Sequence, residues 1–133
     1  MNGNRLVLDT NIVIELFKGN KNVLSVLNNH DVIYLPITVL GELYLGAYRS
    51  LNIQKKLEEI KNFLNSCSLL DSDNNTADNY GAIKSRLLNK GKPIPENDIW
   101  IAAISIQFDL PLYTLDNHFK EIEGIKLFEY PTG

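Results

Sequence analysis

Five short apolar runs, each cut off by polar residues, glycine or proline, set what this chain can fold into. They are Arg5-Leu6-Val7-Leu8, Val32-Ile33-Tyr34-Leu35, Ser68-Leu69-Leu70, Leu112-Tyr113-Thr114-Leu115 and Lys126-Leu127-Phe128. A strand with one wet face alternates apolar and polar residues; runs of this kind read as strands buried on both faces. Longer stretches with helical spacing separate them. Asp9-Thr10-Asn11 offers caps for a helix over Ile12–Phe17, closed by Gly19, and Asn22–Asn29 makes a second. Thr38 is expected to cap a helix running to about Ser50, with Val39, Leu40, Leu43, Tyr44, Ala47 and Leu51 as its apolar stripe. Asn52 caps the next, striped by Ile53, Leu57, Ile60 and Leu64. A helix from about Thr76 to Asn89 turns Tyr80, Ile83, Leu87 and Leu88 inward and stops at Gly91. Pro93-Ile94-Pro95 breaks the chain, and Glu96-Asn97-Asp98 opens a helix over Ile99–Ile106 that is apolar on nearly every side. A short helix is expected over Asp116–Ile122. Strands alternating with helices predict an α/β domain of three layers, with a mainly parallel central sheet and helices on both faces.

The 133 residues fit one domain, 1–133, and a hydrophobic fraction of 44% with 22% charged residues excludes a wholly disordered chain. The longest unbroken apolar run, Ile99–Ile104, is far short of the roughly 20 residues that span a bilayer. Leu6-Val7-Leu8, interrupted at Asp9, is too short for a signal peptide, so the cytoplasm is the expected location. Cys67 is the sole cysteine, which excludes an internal disulfide and a cysteine-rich zinc site. A net charge of −3 argues against a protein that coats duplex nucleic acid through a basic surface.

The chemistry lies in the placement of the acids. Asp9 ends the first strand, Asp116 follows the fourth, and Asp98 sits in the first turn of the all-apolar helix, which must be buried on all sides. Active sites of such sheets form at the carboxyl ends of the strands, where these three would meet. Glu42 borders the apolar stripe of its helix, with Gly46 leaving space one turn on. Clustered carboxylates repel one another and are tolerated when protonated or bound to cations. Oxygen ligands without paired His or Cys favour Mg²⁺ or Mn²⁺ over Zn²⁺ and suit phosphoryl chemistry. Taken singly, each Asp also reads as a helix cap and Glu42 as a solvated residue.

Four segments resemble the PIN-domain family, and within it the small VapC-type toxin ribonucleases. They are Leu6-Val7-Leu8-Asp9-Thr10-Asn11-Ile12; Thr38-Val39-Leu40-Gly41-Glu42-Leu43 with Gly46; Ile94-Pro95-Glu96-Asn97-Asp98-Ile99-Trp100-Ile101-Ala102-Ala103; and Tyr113-Thr114-Leu115-Asp116 with Phe119 and Gly124. The resemblance implies a metal-dependent endoribonuclease in which Asp9 and Asp98 are the principal Mg²⁺ or Mn²⁺ ligands. Glu42 and Asp116 would complete the set, and Asn11, Thr114 and Glu96 would support it or orient substrate. The implied reaction is in-line attack on an RNA phosphodiester by a water that the metal activates. The implied partners are RNA, a VapB-type antitoxin and a second copy of the chain in a homodimer. A non-catalytic PIN-like RNA- or protein-binding module is the alternative. A metal phosphatase with Asp9 as nucleophile is a third reading, weakened by Asn rather than Asp at position 11.

Lys84, Arg86, Lys90 and Lys92 lead towards Asp98 with no acid among them, as candidate RNA-phosphate contacts or as an ordinary solvated helix end. Trp100 and Tyr44 fit packing better than base stacking. His30 and His118 lie outside the acidic matches at Asp9, Glu42, Asp98 and Asp116, which favours surface or capping roles.

Overall fold

The axis of the fold is β1 (Arg5–Leu8), whose Leu6, Val7 and Leu8 are fully buried, so the sheet is covered on both faces. The structure, a computed structural model, describes residues 4–129. After β1 come α1 (Thr10–Phe17), α2 (Lys21–Asn28), β2 (Val32–Pro36), α3 (Ile37–Tyr48), α4 (Ile53–Leu64), β3 (Ser68–Leu70), α5 (Asn74–Lys90), α6 (Glu96–Gln107) and β4 (Leu112–Tyr113). A 3₁₀ turn covers Asn117–Glu121.

All pairings are parallel and the strand order is β3-β2-β1-β4. Leu6 lies opposite Ile33, Leu35 opposite Leu69, and Leu8 opposite Tyr113. The chain winds outward from β1 through β2 to β3, then crosses back through α5 and α6 to place β4 on the far side of β1. The order therefore reverses between β1 and β4, which is where open α/β sheets leave a crevice at their carboxyl edge.

Burial explains the helices. In α6, Ile99, Ile101, Ala102, Ala103, Ile104 and Ser105 are all buried, as an apolar helix demands. The Ser105 hydroxyl is satisfied by donating to the Ile101 carbonyl at 2.9 Å. α5 packs along α6 and is cross-bonded to it at three levels. Thr76 and Asp73 meet Gln107, Asn79 Nδ2 donates to the Ala103 carbonyl at 3.2 Å, and Tyr80 and Lys84 meet Glu96. Trp100 stacks on Tyr80 with ring centres 4.1 Å apart, a packing role. Among the described residues, no helix is long and apolar enough to cross a membrane.

Several boundaries differ from the sequence reading. α3 starts at Ile37 with Pro36 at its cap and no side-chain bond there, because the φ of −62° at Pro36 already turns strand into helix; Thr38 is inside the helix. Leu51 is fully exposed because α3 ends at Tyr48. α5 starts at Asn74, since Asp73 is the cap and Thr76 closes a capping box with it. Leu88 is exposed, being one position off the buried Ile83–Leu87 row. Thr114 and Leu115 leave the sheet after β4. Lys126–Phe128 forms one parallel bridge, Leu127 to Leu112, because β4 offers only two residues to pair with.

Candidate metal centre at the carboxyl edge of the sheet

Asp9 leaves the end of β1 and caps α1, with Oδ1 accepting from the Thr10 amide at 2.8 Å. It is 4% exposed. Its Oδ2 accepts from the Thr114 hydroxyl at 2.7 Å and from Asn11 Nδ2 at 3.3 Å. Asn11 Oδ1 in turn accepts from the Leu115 amide at 3.2 Å, and Thr114 Oγ1 accepts from the Asp116 amide at 3.0 Å. Asn11 and Thr114 thus lash the end of β1 to the end of β4 across the crevice. They hold Asp9 and the Asp116 backbone in fixed relation.

Asp98 enters from the first turn of α6, its side chain 14% exposed. Asp116 caps the 3₁₀ turn by accepting from the His118 amide at 2.9 Å. That turn brings the His118 ring round, so that Nδ1 lies 3.0 Å from Asp116 Oδ1 and 3.6 Å from Asp98 Oδ2. Donor atoms of Asp98, Asp116 and His118 all lie within 4.8 Å of one another. Glu42 reaches in from α3. Its Oε1 is buried beside the buried Thr10 hydroxyl, which works against burial to keep the carboxyl ionised. Glu42 also lines a cavity of about 230 Å³ with Ile14, Phe17, Leu43, Ala47 and Ile60.

The electrostatics follow from crowding. Burial, then the charges of Asp9 and Asp116, pushes Asp98 up to about 6. Burial raises Asp9, partly offset by the Thr114 hydrogen bond, and burial followed by the Asp9 charge raises Glu42. Repelling, partly buried carboxylates are a set that a divalent cation stabilises, so the donor set fits a hard dication.

The charges of Asp9, Asp116 and Glu42 all act on Asp98, and Asn11 and Thr114 are bonded to Asp9. Among the described residues the carboxylates grouped closely enough to share one ion are Asp98 and Asp116, with His118, while Asp9 and Glu42 lie outside that group. Glu96 instead takes the Tyr80 hydroxyl at 2.6 Å and Lys84 Nζ at 2.5 Å, and Lys84 keeps its carboxylate ionised to lower pH than usual. Lys90 donates to the Glu121 carbonyl at 3.1 Å. Arg86 and Lys92 are exposed and, among the described residues, enter no ion pair. His30 is away from the acids, with Nδ1 2.6 Å from the Val26 carbonyl and its ring against Phe128. His118 is the participant that sequence reasoning passed over. Its one signal was its position two residues after Asp116, where a tight turn returns a side chain to its cap.

The sequence profile of the family described as PIN domain matches residues 6–125. The chain belongs to the PIN domain family. It is 35% identical over 123 residues to ribonuclease VapC2 of Haemophilus influenzae, covering 91% of this PIN domain chain and 92% of that protein. It is 28% identical over 130 residues to the tRNA(fMet)-specific endonuclease VapC of Salmonella typhimurium, covering 95% and 98%. Among solved structures, a chain of the DNA-bound VapBC of Salmonella typhimurium superposes with a TM-score of 0.89 at 26% identity, covering 96% of this chain and 99% of that one. A chain of VapBC2 from Rickettsia felis, bound to a DNA fragment from their promoter, gives 0.85 at 26% identity, covering 93% and 97%. The α/β fold with its parallel sheet is that of these PIN domains.

Proposed function

We propose that this PIN domain, taken as one unit over residues 1–133, is a metal-dependent endoribonuclease. It acts in the cytoplasm as the toxin of a VapBC-like pair, with Mg²⁺ or Mn²⁺ as its ion. The observation that carries the reading is the gathering of Asp9, Glu42, Asp98 and Asp116 at the β1–β4 crevice, with three of the four carboxyls pushed towards protonation. The VapC ribonucleases among its relatives and the VapBC complexes among its structural neighbours support it. A VapB-type antitoxin and a homodimer are the partners it entails.

In this reading Asp9 and Asp98 are the principal ligands, completed by Glu42 and Asp116. Bound there, the ion supplies Lewis acidity towards a phosphate oxygen and helps generate the nucleophile from water. The chain does the rest. Asn11 and Thr114 fix the Asp9 carboxylate, so its free lone pairs point one way. Glu96, with Lys84 and Tyr80, steadies the first turn of α6 that carries Asp98, and the exposed Arg86 and Lys92, with Lys90, supply phosphate contacts along the approach. Asp9 is a poor nucleophile for a phosphatase: it is nearly inaccessible, and Oδ2 already accepts two hydrogen bonds.

The test is cleavage of RNA by purified protein with Mg²⁺ or Mn²⁺, with and without EDTA, alongside Asp98→Asn. Metal-dependent cleavage lost in a folded Asp98→Asn protein is expected. Cleavage that survives both treatments overturns the mechanism, and RNA binding without any cleavage would favour a non-catalytic module.

A further inference from the structure

The tight group at the crevice is not made of oxygens alone. His118 Nδ1 sits 3.0 Å from one carboxylate oxygen and 3.6 Å from another, in a set whose donor atoms lie within 4.8 Å of each other. One ion seated among these atoms can therefore touch Asp98, Asp116 and the imidazole together. The ring's placement is built into the fold. Asp116 caps the turn through the His118 amide, Thr114 holds the Asp116 amide, and fully buried Phe119 anchors the next residue. The ring itself is half exposed. Water can therefore serve Nε2 while Nδ1 faces the two carboxylates, where an ion would take the place of the proton that Nδ1 shares with them.

We propose that His118 is a nitrogen ligand of the bound cation and that it makes this centre select Mn²⁺ over Mg²⁺. Mg²⁺ demands oxygen ligands and gains little from an imidazole, whereas transition-metal ions accept a carboxylate–imidazole set. Four carboxylates without a nitrogen would leave the ion choice to ion abundance. The inference rests on the proposed metal centre and adds to it the residue that discriminates between ions. Outside the crevice, the cation-rich end of α5 and the cavity beside Glu42 do not bear on that choice.

The experiment uses full-length protein stripped of metal with EDTA and desalted, as wild type, His118→Ala and His118→Gln. MnCl₂ and MgCl₂ are titrated separately, with affinity read by calorimetry and thermal melts. Bound Mn²⁺ is then examined by electron spin-echo modulation. Wild type is expected to show ¹⁴N coupling from one imidazole, and both variants to lose it. The Mn²⁺ dissociation constant should rise about tenfold or more in both variants, the scale that removing even a supporting partner produces. The Mg²⁺ constant should stay within about twofold, because Mg²⁺ takes oxygen ligands. Circular dichroism and the metal-free melting temperature confirm that each variant is folded. Mn²⁺ bound without nitrogen coupling, or Mn²⁺ and Mg²⁺ affinities that fall together, overturns the role of His118 and leaves the metal centre standing. Failure of wild type to bind either ion overturns both.

Discussion

At Asp98, burial and the neighbouring charges of Asp9 and Asp116 act in the same direction and lift the carboxyl from an ordinary 3.8 to about 6. The folded state therefore holds a proton that the unfolded chain has given up between those two values, and in that window stability falls as pH rises. In EDTA-treated protein the unfolding free energy should drop between about pH 4 and pH 6 by on the order of 1–2 kcal/mol from this group. Urea unfolding across that range checks it, and Asp98→Asn should flatten the slope. A wild-type slope of the opposite sign would show that the Asp98 carboxylate is stabilised as an anion. The acids were legible in the sequence because strand ends and a helix's first turn are marked by where apolar runs begin and stop. His118 was not, because a 3₁₀ turn has no hydrophobic period to reveal which way its side chains return.

α5 and α6 show how an element that carries a site is held. The Thr76 hydroxyl is fully buried, accepts from the Asp73 amide at 3.0 Å and meets the Gln107 side chain. Thr76→Val keeps the shape and orphans both partners, and should cost about 1–2 kcal/mol by chemical denaturation. Gly91 ends α5 at φ 66°, a conformation that side chains resist, so Gly91→Ala should cost about 1 kcal/mol. Equal stability of either variant and wild type would remove that feature from the account. The helices were readable from period and caps. Their first residues were less so, because Pro36 caps α3 two positions ahead of the expected cap Thr38, and Asp73 starts α5 at Asn74 rather than at about Thr76. The final run, Lys126–Phe128, looked like a strand, but pairing needs a neighbour, and β4 ends after two residues.

For the whole molecule, a net charge of −3 must coexist with binding to a polyanion, and the cations on and after α5 are the local answer in the proposed function. Lys84 is already committed to Glu96, while Arg86 and Lys92 stand exposed. Replacing Arg86 and Lys92 together by Gln should weaken binding to single-stranded RNA and reduce the log–log salt slope by about 0.7 per lost contact. A slope equal to wild type would assign both to plain surface.

The strand order also has a consequence in time. Asp9 and Thr114, which bond directly, are 105 positions apart, and β4 is the last strand made. A ribosome reading from the first codon lays down Asp9, Glu42 and Asp98 long before it reaches the pair that completes the crevice. Until residues 112–118 clear the exit tunnel, β1 has one neighbour instead of two and Asp9 lacks the Thr114 hydroxyl. A half-made chain therefore holds three of the acids but not the bond between Asp9 and Thr114 that ties the two ends of the crevice together.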